Sequence, residues 1–247
     1  MSRPEPLEPL PRPPSVNEPA GFTRMKQIPL AIGLDEPHRF DHFVPGANAS
    51  VLAHLRALEN GAPPVYLWGS SGSGKTHLLQ ATALRAAEKG GRAGWFDAAD
   101  AAPWGTSDAW SLIVFDDCDR FDPDQQQAAF RVFVDATARG LPVVAAGRVP
   151  PIDLPLRDDL RSRLGWGHVF ALQPLTEPEV RAALRQEADR RGVFLSDEVI
   201  DFLLTRFERD LKHLMTRLVR LDAFALVSKR ALTVPLLKQM LADEGAV

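Results

Sequence analysis

Residues 69–76 read Gly69-Ser70-Ser71-Gly72-Ser73-Gly74-Lys75-Thr76, a run whose residue types suit the capture of a polyphosphate. Glycines let successive backbone N–H groups turn inward on phosphate oxygens, a lysine reaches the β- and γ-phosphates, and a hydroxyl binds magnesium. On that logic Gly69, Ser70, Gly72, Ser73 and Gly74 form the cradle, Lys75 meets the terminal phosphates and Thr76 holds the metal. His77 follows directly and is placed with the same nucleotide-contacting set. The expected ligands are ADP or ATP with Mg2+. Such a site also needs a carboxylate at the end of a neighbouring buried strand, and often a second acid that orients the attacking water. Leu112-Ile113-Val114-Phe115-Asp116-Asp117 supplies both, with Asp116 for the metal and Asp117 for the water. A turn that merely ends the strand is the plainer reading of the acidic pair. Cys118, with no histidine nearby, reads as a small buried residue.

A second set of residues carries positive charge. Leu160-Arg161-Ser162-Arg163-Leu164-Gly165-Trp166-Gly167 places two arginines and an aromatic around a tight turn. An arginine near a helix end commonly complements the helix dipole, and it can also be delivered to a phosphate of a neighbouring molecule. Arg209, Lys212, Arg217 and Arg220 form a basic stretch whose intervening Leu211, Leu214, Met215, Leu218 and Leu221 stand at core spacing. All of these cations but Lys212 read as a solvated helix face.

The elements that must position these groups are visible as changes of periodicity. Val65-Tyr66-Leu67-Trp68 reads as a buried strand entering the glycine loop, and a helix over 76–88 leaves it. A short amphipathic helix is expected over 49–60, with Asn48 as its cap. Apolar runs at 92–96, 111–115, 141–146 and 168–172 alternate with helical stretches at about 124–139 and 157–164. That alternation predicts an α/β fold with a parallel sheet flanked by helices over residues 38–174. Thr176-Glu177-Pro178-Glu179 then opens a helix that Gly192 stops, Ser196 and Asp210 are placed to cap two more, and Thr233-Val234-Pro235 starts a last one. Residues 175–247 are expected to be a small all-helical domain.

Composition removes several functions. A net charge of −3 provides no global basic field for a polyanion, so sequence-specific DNA binding is not expected. A single cysteine cannot form an internal disulfide, and no apolar run reaches the roughly eighteen residues of a membrane span, so no membrane association and a cytoplasmic location are expected. The first 24 residues hold seven prolines and little apolar periodicity, the composition of a disordered leader. Met25 follows that leader and is an alternative start, with residues 25–37 forming a separate N-terminal segment.

With these pieces together, the chain over about residues 38–245 resembles the DnaA family of replication-initiator AAA+ proteins. Phe40-Asp41-His42-Phe43-Val44-Pro45-Gly46-Ala47-Asn48 is similar to the family's entry segment beside the adenine, and Leu160 through Gly167 is similar to its arginine-finger box. The resemblance implies an AAA+ domain followed by a helical lid, with Arg163 as the finger acting on a neighbour's nucleotide and Lys212 as the lid's sensor residue. It also implies departures. The family's lid sensor is usually arginine, and Ala145-Ala146-Gly147-Arg148-Val149-Pro150-Pro151 lacks the polar pair that usually follows the fourth strand. Both argue for weak or no intrinsic ATPase activity.

Neither a helicase-loading domain nor a helix-turn-helix domain is recognisable, so the chain resembles the short paralogue that inactivates the initiator. Proteins of that kind bind the DNA polymerase III sliding clamp (its β subunit) through a Gln-Leu-x-Leu-x-Leu peptide, to which Gln27, Ile28, Leu30 and Ile32 correspond. The implied role is negative regulation of replication initiation, by stimulating hydrolysis of DnaA-bound ATP. A second copy of the chain, as a homo-oligomer, stands among the expected partners. Two other readings are an autonomous ATPase that loads or remodels a helicase, and a DNA-binding initiator fragment.

Overall fold

The computed structural model describes residues 38–207 and 210–244. The expected leader, the expected clamp-binding residues Gln27, Ile28, Leu30 and Ile32, and Arg209 lie outside the described residues.

Five strands form one parallel sheet: β1 (Val65–Trp68), β2 (Ala93–Phe96), β3 (Leu112–Phe115), β4 (Val143–Gly147) and β5 (His168–Ala171). Their spatial order is β2-β3-β4-β1-β5. The strands read as unbroken apolar runs because the sheet is covered on both faces. Val65, Leu67, Leu112, Val114, Val144 and Ala146 pack with α1 (Ala49–Arg56) and α2 (Lys75–Glu88). The alternate residues Tyr66, Ile113, Phe115, Val143 and Ala145 pack with α3 (Pro123–Ala138) and α4 (Asp158–Leu164). The expected α/β fold is therefore present: β1 and β5 start where their apolar runs do, and β2, β3 and β4 start one or two residues inside theirs.

Helix starts follow local chemistry. α3 opens with a capping box in which Gln125 N donates to Asp122 Oδ1 at 2.8 Å and Asp122 N donates to Gln125 Oε1 at 2.9 Å, with Pro123 in the first turn. α5 (Glu177–Arg190) opens on the glutamate side of such a box, with Thr176 N and Oγ1 each donating to Glu179 Oε2 at 2.7 Å. α6 (Asp197–Arg206), α7 (Leu211–Ser228) and α8 (Val234–Glu244) complete a helical C-terminal region. Its core is a separate cluster that includes Leu184, Val199, Leu203, Leu214, Leu218, Leu221 and Leu236.

Two expected caps behave differently. Ser196 stands at the start of α6 without a side-chain cap bond. Asn48 stands at the start of α1 but does not cap it. Its buried carboxamide instead reaches across the chain, donating to Gln173 O at 2.9 Å and accepting from Gln173 N at 2.8 Å. That pairing satisfies an otherwise isolated stretch of backbone between β5 and the helical region, a better use of a buried amide than a helix end open to water. Among the described residues, no helix is long and apolar enough to cross a membrane.

Candidate nucleotide site

The glycine loop leaves the C-terminal end of β1 and enters α2 at Lys75, at the carboxyl ends of the strands where α/β folds hold their ligands. Gly72 and Gly74 have φ values of 74° and 94°, in the left-handed region where glycine carries no steric cost. Space adds a second reason at Gly74, where a Cβ would lie 2.6 Å from Cε2 of Phe43. The first-turn N–H groups of α2 have no intrahelical acceptor and carry the positive end of the helix dipole.

Lys75 is buried, and its Nζ donates to Gly69 O at 2.9 Å and Ser70 O at 2.8 Å. Burial lowers its pKa, against the pull of Asp116, Asp117 and Asp119. Ser73 Oγ is buried without a hydrogen-bond partner. Thr76 Oγ1 donates to Asp116 Oδ2 at 2.7 Å, and Asp117 N donates to Asp116 Oδ1 at 2.9 Å. Burial raises the pKa of Asp116, partly offset by these two donors. Asp117 lies in the left-handed region at φ 48° and pairs with Arg120 at 3.4 Å.

These residues fit a magnesium-bound nucleotide. An orphaned hydroxyl at Ser73, free helix-start amides and an ammonium held only by carbonyls are unspent donors that phosphate oxygens would satisfy. Thr76 and Asp116 present two hard oxygen ligands side by side. Among the described residues no group of three or more His, Cys, Asp or Glu could hold a metal alone. Magnesium would therefore draw its remaining ligands from phosphate and water, as it commonly does.

Around this centre the structure arranges groups that the sequence left unpaired. His77, expected among the nucleotide contacts, turns its ring to the entry segment: Nε2 donates to Arg39 O at 2.9 Å, and the ring packs on Phe43 and His38. Burial pushes its pKa down to about 4. The end of β4, within the segment that lacks the polar pair, is crowded from the neighbouring strand. A Cβ on Gly147 would lie 2.2 Å from the Tyr66 hydroxyl, which donates to Val149 O at 3.0 Å. The next residue, Arg148, binds the buried carboxylate of Asp119 through its backbone N at 3.0 Å and its Nε at 2.6 Å. Neither Asp119 nor Arg148 was singled out in the sequence; a third acid two positions beyond the acidic pair was the available signal.

The helical region reaches the loop through Asp210. Its carboxylate lies where a Cβ on Gly72 would be, 2.7 Å from Cγ, and it accepts from Lys212 N at 2.9 Å as the cap of α7. A cavity of about 250 Å³ between loop and helices is lined by Ser71, Gly72, Leu175, Asp210 and Leu211 among others. Lys212 itself is exposed in the first turn of α7.

Arg163 occupies the last turn of α4. Its guanidinium lies over the ring of Phe130, 5.1 Å from the centroid. Beyond it, Trp166 is 72% exposed and Ile152 is 80% exposed. Gly165 keeps the two segments close, since a Cβ there would lie 3.1 Å from Pro151. No hydrogen bond or ion pair joins Arg163 to Lys75, Thr76, Asp116 or Asp117 among the described residues.

Two family models match the chain: the bacterial DnaA ATPase domain over residues 34–93 and the lid domain of Hda over residues 177–241. Domain III of the Thermotoga maritima replication initiator DnaA has a similar structure, with TM-score 0.69 and 20% identity, over 85% of this chain and 97% of that one. AMPPCP-bound DnaA from Aquifex aeolicus is similar at TM-score 0.61 and 23% identity, over 75% of this chain and 65% of that one. A mutant form of Thermotoga maritima RuvB shares the fold at TM-score 0.63 and 16% identity, over 84% of this chain and 73% of its own. A five-stranded parallel AAA+ sheet, a helical lid-like region and matches to these two models lead to one assignment: the chain is a DnaA/Hda-like AAA+ protein.

Proposed function

We propose that this chain is a negative regulator of replication initiation that makes a partner's nucleotide site competent for hydrolysis. In this reading it holds ADP or ATP with Mg2+ and docks on the polymerase III β clamp through Gln27, Ile28, Leu30 and Ile32. From there it presents Arg163 to ATP bound by a DnaA molecule. The guanidinium stabilises charge that develops on the phosphate oxygens during transfer to water. The observation that carries the reading is the state of Arg163: a cation at the end of α4 with no carboxylate partner among the described residues, beside an exposed tryptophan. Arginine and tryptophan are the side chains most enriched where one protein grips another.

The chain's own nucleotide is then mainly structural. Lys75, Ser73, Thr76 and the amides of α2 support binding, and the AMPPCP-bound DnaA with the same fold is in keeping with it. Gly147 supports weak intrinsic turnover, because Tyr66 occupies the space a water-orienting side chain would need. Asp116 and Lys212 would then serve the bound nucleotide, at the metal and from the lid, and Asp117 would be the second acid of a slow site.

Hydrolysis of DnaA-bound ATP, measured with and without DNA-loaded clamp, tests the reading. Arg163→Ala is expected to lower the stimulated rate by about a hundredfold or more, and Gln27→Ala to remove the dependence on clamp. Stimulation by Arg163→Ala equal to wild type would end the proposal. Steady turnover by the isolated chain that is lost in Lys75→Ala would favour the autonomous ATPase, and salt-sensitive duplex binding the DNA-binding fragment.

A further inference from the structure

Three arginines serve α4, and they are treated differently. Arg157, at its N-terminal boundary, pairs with Asp159 at 2.7 Å, and Arg161 pairs with Asp158 at 2.6 Å. Arg163 has no acid among the described residues and rests instead on the face of Phe130. The difference matters for a guanidinium that must meet phosphate. A carboxylate partner would cancel its charge and compete for the same N–H edges. An aromatic face attracts the cation through its quadrupole and leaves every N–H group free in the plane of the guanidinium.

Phe130 is itself a fixed platform. It sits on α3, half-buried against the core beneath the sheet. Gln126, one turn earlier on the same helix, accepts from Arg157 N at 2.9 Å and donates to Phe121 O at 2.8 Å. α3 thus grips α4 at both ends, by a buried carboxamide at its start and by the aromatic ring at its finish.

We propose that Phe130 is the positioning residue of Arg163, holding the guanidinium oriented and un-neutralised for a phosphate of a second molecule. This rests on the reading of Arg163 as a group acting in trans, so the test has one arm that depends on that reading and one that does not. In the independent arm, NMR follows the Arg163 δ-methylene and Nε–H signals, identified by their loss in Arg163→Lys. Stacking shifts them upfield by the ring current; Phe130→Leu is expected to return them to ordinary values, and Phe130→Trp to keep them shifted. In the functional arm, Phe130→Leu lowers the plateau of stimulated hydrolysis of DnaA-bound ATP about fivefold. The concentration giving half the effect stays unchanged, because the docking surface is intact. Phe130→Tyr and Phe130→Trp keep most of the plateau.

Equal losses in the leucine and tryptophan variants would mark Phe130 as a packing residue only and overturn the proposal, as would Arg163 signals that do not move in Phe130→Leu. If Arg163→Ala stimulates like wild type, the trans reading falls by itself, and with it the purpose assigned to Phe130, while the NMR arm still decides whether the ring holds the cation.

Discussion

His77 shows how a single side chain is decided by its surroundings. One residue beyond Thr76, it belongs by position to the first turn that faces phosphate. Its ring is instead committed to Arg39 O and to the rings of Phe43 and His38. A consequence for pH follows. The folded pKa is held near 4 against an ordinary value of 6.5, chiefly because burial disfavours the imidazolium. The unfolded chain therefore binds a proton between those limits that the folded chain refuses, so the contribution of His77 to stability falls as pH drops from 6.5 toward 4 and levels off below. Half-burial and solvent screening leave about 1–2 kcal/mol of this in practice. Urea unfolding at about pH 7 and about pH 4.5 is expected to show His77→Gln losing less stability than wild type over that interval; equal losses would rule the group out.

At the scale of elements, the end of β4 explains a departure from the family pattern. Parallel pairing sets Trp68 beside Gly147, and Tyr66 on the same strand sends its hydroxyl into the space of a side chain at 147. The buried phenol is spent on Val149 O, and burial raises its pKa far above the ordinary tyrosine value. Gly147→Ala is expected to cost about 1–3 kcal/mol by overpacking, and about 1 kcal/mol or less in a Tyr66→Phe background, where the clashing oxygen is gone. A double-mutant cycle read by urea unfolding measures this coupling; strict additivity would mean that the two side chains do not compete. Most of the elements were legible. Strand runs from Val65, Leu112 and Val143 declare themselves because a sheet covered on both sides needs no polar alternation, and Asp122 and Thr176 begin helices through bonds to residues three positions on.

At the scale of the whole molecule, Asn48 is the informative contact. It links the start of α1 to Gln173, 125 residues later, on the segment that leads from the sheet into the helical region. Asn48→Ala would remove both bonds to the Gln173 backbone, a loss of about 1–2 kcal/mol. Denaturant unfolding is expected to show that loss, and Asn48→Asp, which keeps the acceptor for Gln173 N but meets Gln173 O with a second oxygen, to recover little of it. A cost under about 0.5 kcal/mol, the usual size for an ordinary surface site, would show that the contact is dispensable.

The sequence by itself determined what neighbours in the chain can decide. A Gly-rich turn ahead of Lys75 and Thr76, an acidic pair after an apolar strand, capping boxes and the two-faced apolar runs act over a few residues, where backbone geometry and hydrogen bonding leave little choice. Those features were enough for the fold, and the family followed from the resemblance carried by Phe40 to Asn48 and Leu160 to Gly167. What only the tertiary structure decided are pairings between residues far apart: Asn48 with Gln173, Arg148 with Asp119, Tyr66 against Gly147, and Arg163 on Phe130. Each exchanges solvation or a local partner for a distant one. The gain exists only once the sheet has brought the strand ends together and α3 has been laid beside α4, so no spacing along the chain could announce it.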